Sequence, residues 1–415
     1  MKIHKGYTYR LQPTAEEKAH FLRHAGVCRL VYNLALEQRR DWWRHYQKAT
    51  GNNLNYVTQA RQLTDLRREF DFIREISQTA EQRALKDLDT AFKNFFAGRG
   101  GFPRPRKKGV NDNFAFHGRE IEIKQLNKKW SRVKLPKIGW VKFRNTRQIV
   151  GKFTEATITK TALGWQISIG TSFEKEIGAN SLPAVGIDRG VIVPLALSDG
   201  KTYELPKSIA RLDRLHKRSQ RVASRRKRGS RRHQKAIRRA AGIRARQARI
   251  RKDWAHRTTS DIAHSSGTIV VERLRTKNMT KSSRRTIIEP GKMVSQKRGL
   301  NRSILNVGWH QIETMLAYKL VWSGGRLIKV NPAHTSQICS ACANVDSRSR
   351  KNQASFVCTA CGHKTNADLN AAINILRRGN TAVLDVEDVH RRSGEASTGR
   401  MSASGTHPEN PPPSG

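Results

Sequence analysis

The 415-residue sequence predicts an α+β multidomain chain: a small N-terminal β-barrel with an inserted helical domain, then an α/β domain interrupted by a metal-binding insertion. Three observations lead there. Apolar stripes at helical spacing fill residues 14–97, and short period-two runs crowd 113–174. Beyond residue 182, strand patterns alternate with long helical stretches and two Cys-x-x-Cys pairs. A chain of this length exceeds a single core, so two or three domains are expected.

Residues 2–12 alternate as a strand, and Pro13-Thr14 opens a helix with Glu16 and Glu17 in its first turns. Phe21, Ala25, Cys28, Tyr32 and Ala35 recur on one helical face, which places Cys28 in the core. Further helices are expected over 57–70 and 79–97, the latter presenting Leu85, Leu88, Phe92, Phe95 and Phe96. Trp42, Trp43 and Tyr46, set among Arg39, Arg40, Arg44 and His45, either join a core or stack on bases. Glycines and prolines break the helices over 98–109, where Arg104, Arg106, Lys107 and Lys108 cluster. Strands follow at 114–116, 121–123, 138–143, 157–159 and 165–169, the last two joined through Leu163-Gly164. The barrel therefore takes residues 1–13 and 98–180, and the helical insertion 14–97.

The second domain spans 181–330 and 362–378. Val185–Gly190 reads as a strand ending in an acid and a turn, Val191–Leu197 as its return, and Lys201–Leu205 as a third strand beyond the Asp199-Gly200 turn. Between Lys207 and Lys252 stand 20 Lys/Arg and one acid, Asp213, and Gly229-Ser230 divides this stretch into two helices. Gly267–Val271 is an apolar strand capped by Glu272. A basic, polar and mobile loop is expected over 273–300, and a helix through Ile312, Met315, Leu316 and Leu320 stops at Gly324-Gly325. Arg326–Val330 leads into an insertion, 331–361. Residues 379–415, rich in Gly, Ser, Thr and Pro, are expected to be disordered.

Eighty Lys+Arg against 33 Asp+Glu give a formal charge of +47, a field that suits a polyanion. At such density Arg225, Arg226, Lys227, Arg228, Arg231, Arg232, Arg238 and Arg239 are read, with the 104–108 cluster, as phosphate contacts. No apolar run approaches a membrane span and no secretory signal pattern opens the chain, so the expectation is a cytoplasmic protein with no membrane partner and no small-molecule substrate.

Cys339-x2-Cys342 and Cys358-x2-Cys361 can place four thiolates around one tetrahedral zinc; two redox dithiols are the alternative. Seven residues on, Asp368 opens a helix. With Asp188 and Glu272 at strand ends, it forms a trio of the kind an RNase H-like sheet gathers on one rim to hold two divalent ions about 4 Å apart. Hard carboxylates suit Mg²⁺ or Mn²⁺. Asp199 is read as a turn residue, Asp213, Asp261 and Asp346 as surface acids, and Asn370 as a helix-start residue rather than a metal ligand.

These motifs resemble the TnpB (OrfB-type) proteins of insertion sequences, RuvC-like nucleases related to type V CRISPR effectors. The resemblance runs to about residue 378. It rests on Arg10–Thr14, Cys28–Leu36, Ala91–Phe96 and Gly101–Lys108, and more specifically on Gly186-Ile187-Asp188-Arg189-Gly190, Val270-Val271-Glu272-Arg273-Leu274, His334-Thr335-Ser336-Gln337-x-Cys339 and Asp368–Ile375. It implies a wedge-like barrel, a helical recognition insertion, a RuvC-like nuclease domain and a zinc-bearing target-nucleic-acid-binding insertion. Asp188, Glu272 and Asp368 would be the magnesium ligands, and Cys339, Cys342, Cys358 and Cys361 the zinc ligands. The implied activity is cleavage of double-stranded DNA under a transposon-encoded guide RNA, next to a short motif read by the protein. Two positions depart from the usual pattern: Ala343 follows the second cysteine where relatives commonly carry Gly, and Asn366 replaces an acid two residues before Asp368. A guide-independent transposase or recombinase shares the same acids, and a repressor is the non-catalytic alternative.

Overall fold

A computed structural model describes residues 1–46, 51, 54–284, 291–352 and 354–395, side chains of 382–395 excepted. It divides into two compact units, Met1–Glu176 with Arg211–Ala248, and Ile177–Ala210 with Arg249–Gly415.

In the first unit, β1 (Lys2–Arg10) precedes α1 (Ala15–His45). Thr14 and Glu17 form a capping box: the Thr14 hydroxyl accepts the Glu17 N–H at 3.2 Å, and Glu17 Oε2 accepts the Thr14 N–H at 2.8 Å. The predicted stripe is buried, and the Cys28 thiol donates to the Ala80 carbonyl from a site whose burial pushes its pKa up. Helices α2 (Tyr56–Glu69), α3 (Asp71–Arg74) and α4 (Gln78–Phe96) complete the insertion. Buried Leu85, Leu88 and Phe92 line one face of α4.

Seven strands surround this helical group in the sequence: β1, β2 (Asn113–His117), β3 (Glu122–Gln125), β4 (Trp130–Leu135), β5 (Gly139–Arg144), β6 (Lys152–Thr161) and β7 (Gly164–Glu174). Where one barrel is predicted, the paired strands form two antiparallel sheets, β1-β7-β6-β2 and β3-β4-β5. The sheets meet through a bridge between Leu11 and Phe143, and Val133, Val141 and Phe143 share one apolar core with Ile158 and Ile167. Strand β4 escaped the sequence reading because its pattern is inverted. Ser131 faces inward, while Trp130 lies toward solvent with Lys142 above its ring at 4.6 Å.

The second unit is built on a five-stranded sheet, β10-β9-β8-β11-β12. Strands β8 (Ala184–Asp188), β11 (Thr268–Glu272) and β12 (Arg326–Val330) run parallel, while β9 (Leu195–Leu197) runs antiparallel to β8 and β10 (Thr202–Tyr203) antiparallel to β9. Lys201 donates its N–H to Asp199 Oδ1 at 3.0 Å, the turn role expected of that acid. Two helices flank Gly229-Ser230 as predicted, α5 (Ser208–Ser224) and α6 (Arg231–Ser265), and their residues 211–248 belong to the first unit. The expected 273–300 loop contains α7 (Thr276–Met279) and the start of α8 (Val294–Val307); residues 285–290 lie outside the described residues. Helix α9 (Trp309–Trp322) buries Ile312, Met315, Leu316 and Leu320, and α10 (Ala367–Glu395) closes the unit. Helix α10 runs seventeen residues past the boundary placed at Arg378; the rest of the expected disordered tail, 396–415, lies outside the described residues.

Helix α10 approaches β8 closely because position 186 has no side chain. A Cβ on Gly186 would lie 2.2 Å from the Ala372 carbonyl oxygen and 2.7 Å from the Leu376 nitrogen. That contact draws the start of α10 toward the carboxyl end of β8.

Candidate active site and zinc centre

The three predicted acids come together at one end of the second unit's sheet. Ile187 pairs with Val271 in the parallel β8–β11 ladder, so Asp188 and Glu272 stand one position further on, on neighbouring strand ends and on one face. Asp368, in the first turn of α10, is the third. Asn366 caps this turn: its Oδ1 accepts the N–H groups of Asp368 at 2.9 Å and Leu369 at 3.2 Å. The departure from an acid at 366 therefore keeps a side-chain acceptor where the helix start needs one.

Burial and like charge meet at this rim. Burial, then the charges of Glu272 and Asp368, push the Asp188 carboxyl up to about 7; Arg350 works the other way. Burial also raises Asp368, opposed by Arg350, whose Nη2 lies 3.3 Å from Asp368 Oδ1. Glu272 is buried, and its Oε1 accepts the Thr335 hydroxyl at 2.6 Å.

Beneath the rim, Arg189 is committed to structure. Its guanidinium donates to the Glu272 carbonyl and to Glu313 Oε2 at 2.9 Å, and Lys329 Nζ meets Glu313 Oε1 at 2.5 Å. Arg189 lies within the Gly186–Gly190 motif, whose sequence alone assigns it no role. A charge directly after a strand-end acid gives no sign of which way it points.

The four cysteines lie beside this rim in the chain and assemble a compact centre. Their sulfurs lie within 4.8 Å of one another, with Cys339 and Cys361 at 3.8 Å and Cys342 and Cys358 at 3.6 Å. Zinc–thiolate bonds of about 2.3 Å in a tetrahedron put sulfurs about 3.8 Å apart. The donor set therefore fits a zinc ribbon.

Each pair sits in the same knuckle. The Cys339 N–H donates to Asn344 O (2.9 Å) and Ala343 N–H to Cys339 O (3.0 Å); Cys358 N–H donates to His363 O (2.9 Å) and Gly362 N–H to Cys358 O (3.1 Å). The residue after the second cysteine of each pair is left-handed, φ 62° at Ala343 and 71° at Gly362.

Two asparagines fasten the zinc knuckle to the acid helix. Asn370, fully buried, donates to Ile338 O at 2.7 Å and accepts the Ser340 N–H at 2.8 Å. Asn374 donates to Thr335 O at 3.0 Å and to Ile338 O at 2.7 Å. His334, at the start of this segment, has Nδ1 3.0 Å from Gln337 Oε1.

Known proteins resemble this chain over most of its length. Family models match residues 171–283 ("Probable transposase", OrfB_IS605), 1–48 ("Helix-turn-helix domain", OrfB_IS605) and 309–375 ("Cas12f1-like, TNB domain"). A protein of Escherichia coli (strain K12) named putative RNA-guided DNA endonuclease InsQ is 36% identical over 386 residues, covering 92% of this chain and 94% of the relative. The chain belongs to the TnpB (OrfB, IS605-type) family. A Streptomyces pristinaespiralis protein named putative RNA-guided DNA endonuclease is 29% identical, over 97% of this TnpB-family chain and 96% of its own length. Among solved structures, the Cas12f1-sgRNA-target DNA complex shares the mixed α/β fold with a TM-score of 0.55 at 14% identity, covering 90% of this chain and 98% of that one. The segment matched by the helix-turn-helix model is, over its described residues, a strand followed by one long helix.

The basic residues fall into two groups in this TnpB-family chain. Arg104, Lys107, Lys108, Arg225, Arg226, Lys227, Arg228, Arg231, Arg232, Arg238 and Arg239 are exposed. Arg106 is not a free surface cation: it lies 4.1 Å above the Tyr32 ring and 2.7 Å from Asp87, while its backbone N–H and carbonyl are both bonded to Asn33. Sequence spacing sees four neighbouring basic residues; only packing separates the one turned inward. Trp43, Tyr46 and Phe96 are more than half exposed and so are not core, while the half-buried Trp42 meets Tyr46 in a tilted ring contact at 5.2 Å. Among the described residues, no helix is long and apolar enough to cross a membrane.

Proposed function

We propose that this chain is an RNA-guided DNA endonuclease of a mobile element, cutting phosphodiester bonds of double-stranded DNA at the rim formed by Asp188, Glu272 and Asp368. The observation that carries this reading is the convergence of the three acids, with Asp188 driven to about 7 by burial and by the other two carboxylates. Such crowding of like charge is kept where cations are to bind. The strand order, three antiparallel strands followed by two parallel ones, supports an RNase H-like (RuvC-type) sheet beneath the rim. Mg²⁺ or Mn²⁺ bound there supplies an activated water and stabilises the leaving 3′ oxygen. The chain's own part is to hold the carboxylates. Gly186 lets α10 approach, Asn366 caps its first turn, Thr335 orients Glu272, and Arg189 fixes the strand end from below. The exposed basic residues position phosphates, and sequence is read by base pairing with a transposon-encoded guide.

Sequencing the RNA that survives purification from cells carrying the native locus tests the guide. A discrete species ending in a variable segment is expected; heterogeneous RNA that washes off in salt would favour a guide-independent transposase. Cleavage of a matched duplex, lost in Asp188→Ala, separates an enzyme from a repressor.

A further inference from the structure

The outward face of the β3-β4-β5 sheet carries a cross-strand row of cations with no acid in it. Along β4 the side chains of Ser131, Val133 and Leu135 are buried, so Trp130, Arg132 and Lys134 point the other way. Strand pairing sets Lys124 of β3 and Lys142 of β5 directly opposite Arg132, one on each side. Three cations thus stand abreast over about 10 Å. Lys134 and Arg144 flank the row, opposite Trp140 and Trp130 respectively. Like charges directly opposite each other destabilise a sheet. The acid among these outward positions, Glu122, lies opposite Lys134 and outside the row. Among the described residues none of the five cations forms a salt bridge, and Arg132 Nε is buried with no hydrogen-bond partner. Lysines on edge strands discourage the addition of further strands, but Arg132 stands on the central strand, where that protection has no use.

The two tryptophans hold these charges flat on the sheet. The Arg132 guanidinium lies 4.5 Å from the Trp140 ring centre and Lys142 Nζ 4.6 Å from that of Trp130, each a cation over an indole face. Those indole faces are taken, so the surface offers fixed positive points rather than a platform for stacked bases. The sheet beneath is anchored, with Val133, Leu135, Val141 and Phe143 buried in the first unit's core. A flat, fixed lattice of cations suits the regular phosphates of a double-helical stem; an unpaired strand would be held by stacking as well. Repulsion within the row is present in every state of the chain, which calls for a resident anion. Target DNA is present only during a reaction, whereas a guide is carried throughout. We propose that the outward face of β3-β4-β5 binds the phosphate backbone of a base-paired stem in the RNA that this chain carries. The inference rests on the reading of the chain as RNA-guided.

The test compares wild type with a neutral triple variant, Lys124→Gln with Arg132→Gln and Lys142→Gln, and a charge-keeping one, Lys124→Arg with Arg132→Lys and Lys142→Arg. Each is the full chain, with zinc content checked, stripped of nucleic acid in high salt. The probes are the RNA that co-purifies with wild type, extracted and labelled, and a DNA duplex of equal length, both titrated across a salt series. For the RNA, the slope of log affinity against log salt should fall by about 2–3 in the neutral variant, with binding roughly 10–100-fold weaker at intermediate salt. The charge-keeping variant should bind within about 3-fold of wild type, because the phosphate term depends on charge. Hydroxyl-radical footprinting should show a paired stem protected by wild type and opened in the neutral variant. The Tm of the stripped neutral variant should equal or exceed that of wild type at low salt, since repulsion across the row is gone. A merely structural row would lower it. An unchanged RNA slope, an equal loss on the DNA duplex, or a lower Tm overturns the proposal while leaving the guided reading intact. If wild type itself holds only heterogeneous RNA, the guided reading falls and this inference falls with it.

Discussion

The two candidate metal sites of the second unit lie close in sequence and are built on opposite principles. The four thiols converge within 4.8 Å, each pair held in a knuckle by its own backbone hydrogen bonds. Among the described residues the three carboxylates form no such tight cluster, and burial, then the charges of Glu272 and Asp368, raise Asp188 to about 7. A soft structural centre lowers the energy of the fold that carries it. The candidate catalytic rim, by contrast, crowds like charges into a buried setting that disfavours them. The first should therefore be read out as stability and the second as activity.

The largest effect expected is on the soft site. Cys339→Ser should lose zinc and unfold the 331–361 module, seen as loss of bound zinc and new protease cleavage there. Cleavage of DNA should disappear with it, because Thr335, Asn370 and Asn374 tie this module to the acids. Asp188→Ala is the converse. It should lower the cleavage rate by roughly a thousandfold or more while leaving one zinc per chain and an unaltered protease pattern. If loss of zinc left cleavage intact, the two sites would be independent and the contrast would fail.

A sharper form of the comparison uses pH without divalent ions. Asp188 has a folded-state pKa raised from 3.8 to about 7, so between these values the native chain holds a proton that the unfolded chain releases. Stability from this group is thus present below about pH 4 and lost as pH rises through 7. In chelator, wild-type Tm should fall over this window relative to Asp188→Asn, by the equivalent of about 1–3 kcal/mol. Mg²⁺ should remove most of the difference. An Asn variant no more stable than wild type at pH 8 would show that the rim is not electrostatically loaded.

How much of this was legible in the sequence follows the same divide. Cysteine spacing declares its chemistry, because two Cys-x-x-Cys pairs have few uses, and the three acids stood out by their strand-end and helix-start settings. What the sequence could not show was the wiring between them. Thr335, Arg350, Asn370 and Asn374 act through contacts across tens of residues, and nothing local distinguishes a bonded Asn from a solvated one. Arg106 illustrates the limit in the first unit, where a residue inside a basic run turns inward onto Tyr32 and Asp87. The β4 strand was missed for a related reason, since its inward Ser131 is a polar residue that pattern reading discounts, and helix α8 was missed because it buries Ile304 and Val307, too few for a stripe. The predicted barrel became two sheets because pairing between strands, unlike alternation within them, leaves no trace in composition.

The wiring is itself testable at intermediate magnitude. Asn370→Ala removes an acceptor for the Ser340 N–H and a donor to Ile338 O, both in a buried setting. It should cost about 1–3 kcal/mol in unfolding and speed zinc release to a chelator, without touching any metal ligand. Equal zinc release rates in variant and wild type would mean that the knuckle is held by zinc alone.

The smallest effect separates the two knuckles from each other. They share one hydrogen-bond pattern, yet the left-handed position is alanine in one and glycine in the other. A left-handed alanine costs about 1–2 kcal/mol, partly offset by the greater chain entropy glycine loses on folding. Ala343→Gly should therefore stabilise the module by about 0.5–1 kcal/mol and slow zinc release. Gly362→Ala should do the reverse by a similar amount. A Cβ at 362 would meet no atom within 4 Å, so only backbone preference is altered there. Opposite shifts of similar size would show that the two turns are energetically equivalent. If Ala343→Gly gained nothing, the first knuckle must draw compensation from its bonds to Asn370 and Asn374, which the second knuckle lacks.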